Sequence, residues 1–191
     1  HEEANPFAVS DMLDSVLTEA MEVGTATTGA FDVTVGPLVD AWGFGPDGHQ
    51  IPPSDRVLAE VVGRVGQDKI RLQAGGVTKS TPDVFIDLSA IAKGYAVDHV
   101  VEGLQSAGVH NLLMEVGGEI VAWGQNPNGQ VWRLGIETPS ASQRQIHHAI
   151  PLENAAMATS GDYRQYYEHE GLRVSHLIDP RTSRPIEHRL A

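Results

Sequence analysis

An α+β fold is predicted by the order of patterns along the chain. Two capped, helix-periodic stretches come early, and short β-rich runs punctuated by turn signals dominate after Gly75-Gly76. A single helical stretch interrupts those runs, so strands mostly follow strands instead of alternating with helices. At 191 residues, 41% of them hydrophobic, the chain is most simply one domain with a core of ordinary size.

The elements are read in order. Val9, Leu13, Val16, Leu17, Ala20 and Met21 recur at helical spacing behind Ser10, a good N-cap, which predicts a helix over Ser10–Val23 that "GTATTG" ends. "PPSDRVLAEVVGRVG" repeats this grammar, with Ser54 as cap and Val57, Leu58, Val61 and Val62 on one face. Strands are expected at Val84–Leu88, Leu112–Val116, Glu119–Trp123, Val131–Glu137, Ile146–Leu152 and Val174–Ile178. A helix over Gly94–Ala107, packing through Tyr95, Val97, Val101 and Leu104, separates the first two. "PNG" at 127–129 and "HEG" at 169–171 are the best hairpin turns. No repeat, heptad or low-complexity tract is present. The sequence begins almost directly at a helix and stops at "RPIEHRLA", with no helix cap or final strand. The expectation is an internal portion, 1–191, of a longer catalytic domain.

Charge narrows the function. Thirteen Lys+Arg against 25 Asp+Glu give −12, which argues against nucleic acid or an anionic membrane as the main partner. An anionic ligand therefore needs a local cation. The absence of cysteine excludes disulfides and thiolate metal sites. The histidines form neither HxH nor HExxH, and strand alternation sends His147 and His148 to opposite faces, so a zinc site is not expected. No apolar run approaches the ~18 residues of a membrane span, and the first residues lack a signal-peptide layout.

Four segments carry candidate chemistry. "TGAFDVTVGPLVDAWGFG", Thr28 to Gly45, mixes glycines with Phe31, Trp42 and Phe44. It suits either a tight loop with aromatic core anchors or a surface that brings backbone and flat rings to a ligand. "DLSAIAKGYAVD" sets Asp87 and Lys93 on either side of a strand-to-helix turn. "MEVGGEI" places Gly117-Gly118 between two strands, with Glu115 and Glu119 beside them, as in a plain turn. In "ATSGDYRQYYEHEGLRVSHLIDPRTSRP", His176 shares a strand face with Val174 and Ile178 and precedes an Asp-Pro-Arg-Thr turn. By its neighbours alone His176 fits a satisfied core histidine as well as a catalytic base.

In order and spacing these four segments resemble the FAD:protein FMN transferases, the ApbE family, formerly called thiamine-biosynthesis lipoproteins; the resemblance runs from about Val9 to Ala191. It implies a two-lobed α+β structure with mixed or antiparallel sheets, flanking helices and FAD in a cleft between lobes. It also implies a Mg²⁺-dependent enzyme that splits the FAD pyrophosphate, attaches FMN by a phosphoester to a threonine of a partner flavoprotein and releases AMP. Carried over by position, Ala30, Phe31, Asp32, Asp87, Lys93 and Ile178 match FAD contacts. The carbonyl of Ala90 matches a magnesium ligand, and His176 matches the histidine on which transfer depends. Lys93 and Mg²⁺ would then supply the positive field for a pyrophosphate, and a neutral imidazole at His176 would take the threonine proton.

The family completes its metal site with an Asp and a Thr of a "D-A-x-x-T" segment, a spacing not found in this sequence. Ser183 replaces the usual Gly of the "DPRTG" turn, a change expected to cost little. Family resemblance further implies export to the periplasm or outer face of the cytoplasmic membrane, with a possible membrane tether. FAD hydrolysis by the same site, and flavin binding without chemistry, are the alternative activities.

Overall fold

The computed structural model describes residues 6–46, 48–138, 145–161 and 165–187. Its fold is α+β with antiparallel sheets, in two units: His1–Ala90 with Gln165–Arg189, and Ile91–Arg164 with Leu190–Ala191.

The first unit opens with β1 (Phe7–Ala8) and α1 (Asp11–Ala26). Ser10 Oγ accepts from Leu13 N at 3.3 Å, the cap expected of it, and α1 runs three residues past Val23. Val16, Leu17 and Ala20 form its buried stripe. The glycine-rich segment that follows contains a six-residue helix, α2 (Gly36–Ala41), with Pro37 at its start. Six residues cannot hold a helix alone. Burial of Leu38 and Trp42 against α3 (Asp55–Val62) stabilises it, each such side chain contributing about 2 kcal/mol. Ser54 caps α3 through Val57 N, but only Leu58 and Val61 are buried; Val57 and Val62 lie toward solvent. A hairpin unread in the sequence, β2 (Ile70–Gln73) and β3 (Gly76–Lys79), pairs with β1 in the order β1-β3-β2.

Val84–Leu88, expected as a strand, joins no sheet among the described residues. Asp87 N donates instead to the Val33 carbonyl at 2.7 Å, and Lys79 Nζ donates to the carbonyls of Pro82 and Val84 at 2.7 and 2.9 Å.

The second unit holds α4 (Ala92–Ser106), two residues earlier at its start than expected. Next come β4 (Leu112–Val116), β5 (Glu119–Trp123), β6 (Trp132–Glu137), β7 (Ile146–Leu152) and β8 (Ala155–Met157). Val97 and Val101 of α4 pack on Leu112 and Val121 of a sheet ordered β4-β5-β8. Ala122, Leu134 and Leu152 form a second cluster that includes the β6–β7 pair. "PNG" does turn, through Gly129 N to the Asn126 carbonyl, but it joins β5 to β6, which pair with other strands. It is therefore a link between sheets and not the hairpin expected.

The chain then returns to the first unit with β9 (Tyr166–His169) and β10 (Leu172–Ser175), a hairpin across the expected Glu170-Gly171 turn. The strand expected over Val174–Ile178 stops at Ser175. Both Val174 and Ser175 are buried, so alternation is already broken, and His176 N bonds back to the Gln165 carbonyl at 3.2 Å. After the break, β11 (Ile178–Asp179) pairs with β12 (Arg184–Pro185). Tyr167 and Val174 close the core around Leu38, Trp42, Leu58 and Val61.

Candidate functional site

Two sequence motifs meet in the first unit. Beyond α1, Thr27 Oγ1 accepts from Phe31 N at 3.1 Å, which leads the chain through exposed Ala30 and half-buried Phe31 to Asp32. Asp32 Oδ1 accepts from Thr34 N and Thr34 Oγ1 at 2.8 and 2.6 Å. Thr34, fully buried, in turn accepts from Gly66 N at 2.7 Å. The carboxylate of Asp32 thus shapes its own loop. Beside it, Gly36 packs so closely on the Phe85–Asp87 segment that a Cβ there would lie 2.8 Å from the Phe85 ring and 3.4 Å from Asp87 Cβ. Asp87 Oδ1 accepts from Ser89 N at 2.8 Å, turning the chain toward exposed Ala90.

His176 stands at the strand break, half-buried. Its Nδ1 lies 3.0 Å from the Gln165 carbonyl, and its ring meets Phe44 edge-on at 6.2 Å. A carbonyl can only accept, so this bond requires the proton on Nδ1, and in the neutral ring the Nε2 lone pair is then the acceptor. Phe44 also packs on Tyr167, whose hydroxyl donates to the Trp42 carbonyl at 3.2 Å, and Ile178 packs against the same core cluster. Trp42 and Phe44 therefore act as core anchors, one of the two roles read for that segment.

The turn after β11 is closed by Asp179. Its carboxylate accepts from Arg181 N and Nε at 2.9 Å each and from Nη2 at 2.7 Å. The Arg181 side chain, ahead of the burial that opposes it, holds this carboxyl below the usual range. So engaged, Asp179 is a poor proton acceptor. Ser183 adopts φ 59°, the left-handed region, where a side chain costs about 1 kcal/mol relative to glycine. The replacement is thus less neutral than the sequence suggested. Its carbonyl accepts from Trp42 Nε1 at 2.9 Å.

Lys93 lies in the second unit, in the first turn of α4. Its Nζ donates to the Gly117 carbonyl at 3.1 Å and pairs with Glu119 Oε1 at 2.8 Å. Gly117-Gly118 is a two-residue hairpin turn between Val116 and Glu119, with φ of 59° and 97°. Positive φ at both positions is the type I′ pattern, whose twist matches that of the flanking strands. "AKGY" and "EVGGEI" are thereby joined through one ammonium.

Among the described residues no three His, Asp or Glu side chains gather to hold an ion. The Ala90 carbonyl offers one oxygen where Mg²⁺ takes six, so the described residues do not by themselves fit a magnesium site.

Sequence reasoning singled out His176 and Lys93 but not what holds them. Gln165 and Gly117 act through backbone carbonyls, which leave no mark on residue type. In the sequence Glu119 stands beside the Gly-Gly turn with nothing to mark it as more than a flank.

The protein-family model described as the ApbE family matches residues 1–191. A FAD:protein FMN transferase of Vibrio cholerae is 44% identical over 191 residues, covering 100% of this chain and 57% of its own length. One of Escherichia coli K12 is 36% identical, covering 97% and 54%. The structure of flavin transferase ApbE from Vibrio cholerae superposes with a TM-score of 0.88 at 44% identity, covering 99% of this chain and 60% of that one. The apo form of Pseudomonas stutzeri flavinyl transferase ApbE gives 0.85 at 33% identity, covering 98% and 58%. The chain thus spans between half and two thirds of the length of each of these relatives. With the fold shared and the family model matched over residues 1–191, this chain belongs to the ApbE family.

Proposed function

We propose that this chain is part of an FAD:protein FMN transferase. The enzyme moves the FMN half of FAD onto a threonine hydroxyl of an acceptor flavoprotein and releases AMP. One observation carries the chemical assignment: the Gln165 carbonyl fixes the Nδ1 proton of His176 and leaves Nε2 as an acceptor. The threonine oxygen attacks the FMN-side phosphorus, the bond from that phosphorus to the bridging oxygen breaks with its electron pair leaving on AMP, and the threonine proton passes to Nε2. Phe44 and the Gln165 carbonyl keep the ring from rotating as the charge develops.

The remaining roles are proposals of the same reading. Ala30, Phe31, Asp32, Asp87 and Ile178 contact the flavin nucleotide, and Lys93 offers an N–H to its phosphates. The loop bonds of Asp32 and Asp87 support positioning through backbone shape, since each carboxylate oxygen named above already serves its own turn. Magnesium dependence belongs to the proposal, with the Ala90 carbonyl as one donor and no step assigned to the metal. So does export toward the outer face of the cytoplasmic membrane. Among the described residues no helix is long and apolar enough to cross one.

The test is incubation of the full-length protein with FAD, with and without an acceptor flavoprotein. Fluorescent acceptor and stoichiometric AMP are expected together. AMP and FMN formed equally fast without acceptor would replace transfer by hydrolysis, and no product in either arm would leave flavin binding alone.

A further inference from the structure

Lys93 is oddly placed for an ordinary surface lysine. It sits in the first turn of α4, where the helix dipole already disfavours positive charge. Its side chain is nevertheless only half exposed, folded back on the Gly117-Gly118 turn. A Cβ added at Gly117 would come within 3.0 Å of Lys93 Cδ, so the bare turn is what lets the stem lie against it. The carboxylate that meets the ammonium is also unusual. Glu119 is 17% exposed, and its Oε2 is buried with no hydrogen-bond partner among the described residues. A buried acceptor left unpaired is costly to keep, and an apolar residue of the same length would pack on β5 without that cost. The ion pair is therefore poorly explained by stability.

We infer that Glu119 is a positioning residue for Lys93: together with the Gly117 carbonyl it occupies two of the ammonium's three N–H donors and aims the third at a phosphate oxygen of FAD. The inference rests on the reading of Lys93 as a phosphate contact. Two fixed bonds turn a flexible four-carbon chain into a directed donor, so less freedom remains to be lost on binding. Glu119 also cancels most of the ammonium's field at a distance. Lys93 then acts by contact and not as a long-range attractor.

The experiment is a double-mutant cycle on the full-length protein, with FAD affinity measured by calorimetry beside a melting curve for each variant. Glu119→Met keeps the side-chain length and removes the unpaired oxygen, so the fold is expected to survive. It should weaken FAD binding on the order of fivefold in the wild-type background and have no effect beside Lys93→Ala. Glu119→Gln, which retains an oxygen for the ammonium, should restore most of the loss. Equal weakening in both backgrounds would reduce Glu119 to a structural residue, and tighter binding by Glu119→Met would make it an opponent of the phosphate; either overturns the inference. Lys93→Ala with unchanged affinity would overturn the Lys93 reading itself. Loss in Lys93→Ala with none in Glu119→Met would remove only the role of Glu119.

Discussion

Replacement of His176 by alanine separates chemistry from packing, and the structure allows both losses to be worked out beforehand. On the packing side, the ring gives up its Nδ1 bond to Gln165, about 1 kcal/mol, and its edge contact with Phe44, about 0.5–1 kcal/mol. The Gln165 carbonyl is not orphaned, because the backbone N–H of residue 176 still reaches it. Stability should therefore fall by about 2 kcal/mol and the melting temperature by roughly 4–8 °C, with the protein still folded at assay temperature. On the chemical side, loss of a general base costs ~10²–10⁴-fold, about 3–5 kcal/mol of barrier. His176→Ala should thus bind FAD near normally and fail to label the acceptor. In-gel flavin fluorescence of the acceptor, run beside calorimetry and a melting curve, measures all three. Normal labelling by a folded His176→Ala protein would refute the base assignment. A parallel fall in affinity and stability, with an unchanged rate per bound FAD, would make His176 a core histidine. Asp179 is not an alternative base, since its carboxylate is committed to Arg181.

Three further outcomes follow from local geometry. Thr34→Val removes the hydroxyl between Asp32 and Gly66 in a fully buried position and strands Gly66 N–H, so a loss of about 2–3 kcal/mol is expected in urea denaturation. Ser183→Gly relieves the left-handed φ but loosens the unfolded chain, so its melting temperature should rise slightly, by a net gain of about 0.5 kcal/mol; a clear fall would mean that the Ser183 side chain matters to the turn. Asp179 has a carboxyl pKa depressed by Arg181, so its stabilisation is full above the unfolded value of about 3.9 and is lost as pH falls through the lower folded value. The melting-temperature gap between wild type and Asp179→Asn should therefore be constant from about pH 5 to 7 and close as pH falls below about 4.

Legibility followed the physics of each signal. β4, β5 and β7 match their expected bounds because composition and flanking turns are local, and the starts of α1 and α3 were legible because Ser10 and Ser54 cap them, whereas α1 ends three residues later than expected. Val84–Leu88 has strand composition but no strand beside it among the described residues, and pairing partners are not written in a single run. α2 was hidden by its glycine and proline, since its stability comes from Leu38 and Trp42 meeting α3 and not from propensity. For the site, motif spacing selected His176 and Lys93, whereas their immediate holders are the carbonyls of Gln165 and Gly117. Any residue can supply a carbonyl, so no pattern marks one.

Trp42 has a consequence for how the first unit comes into being. Its indole is tied to Ser183 and its carbonyl to Tyr167, contacts 141 and 125 residues apart in sequence. During synthesis residues 1–90 emerge with Leu38, Trp42, Leu58 and Val61 lacking the Tyr167 and Val174 that complete their cluster. The Ile91–Arg164 segment, continuous in sequence, can condense first through local contacts between α4 and β4–β5. The nascent chain thus carries an open apolar surface until Tyr167 and Val174 have emerged, and a ribosome stalled before residue 165 would present a substrate for chaperones.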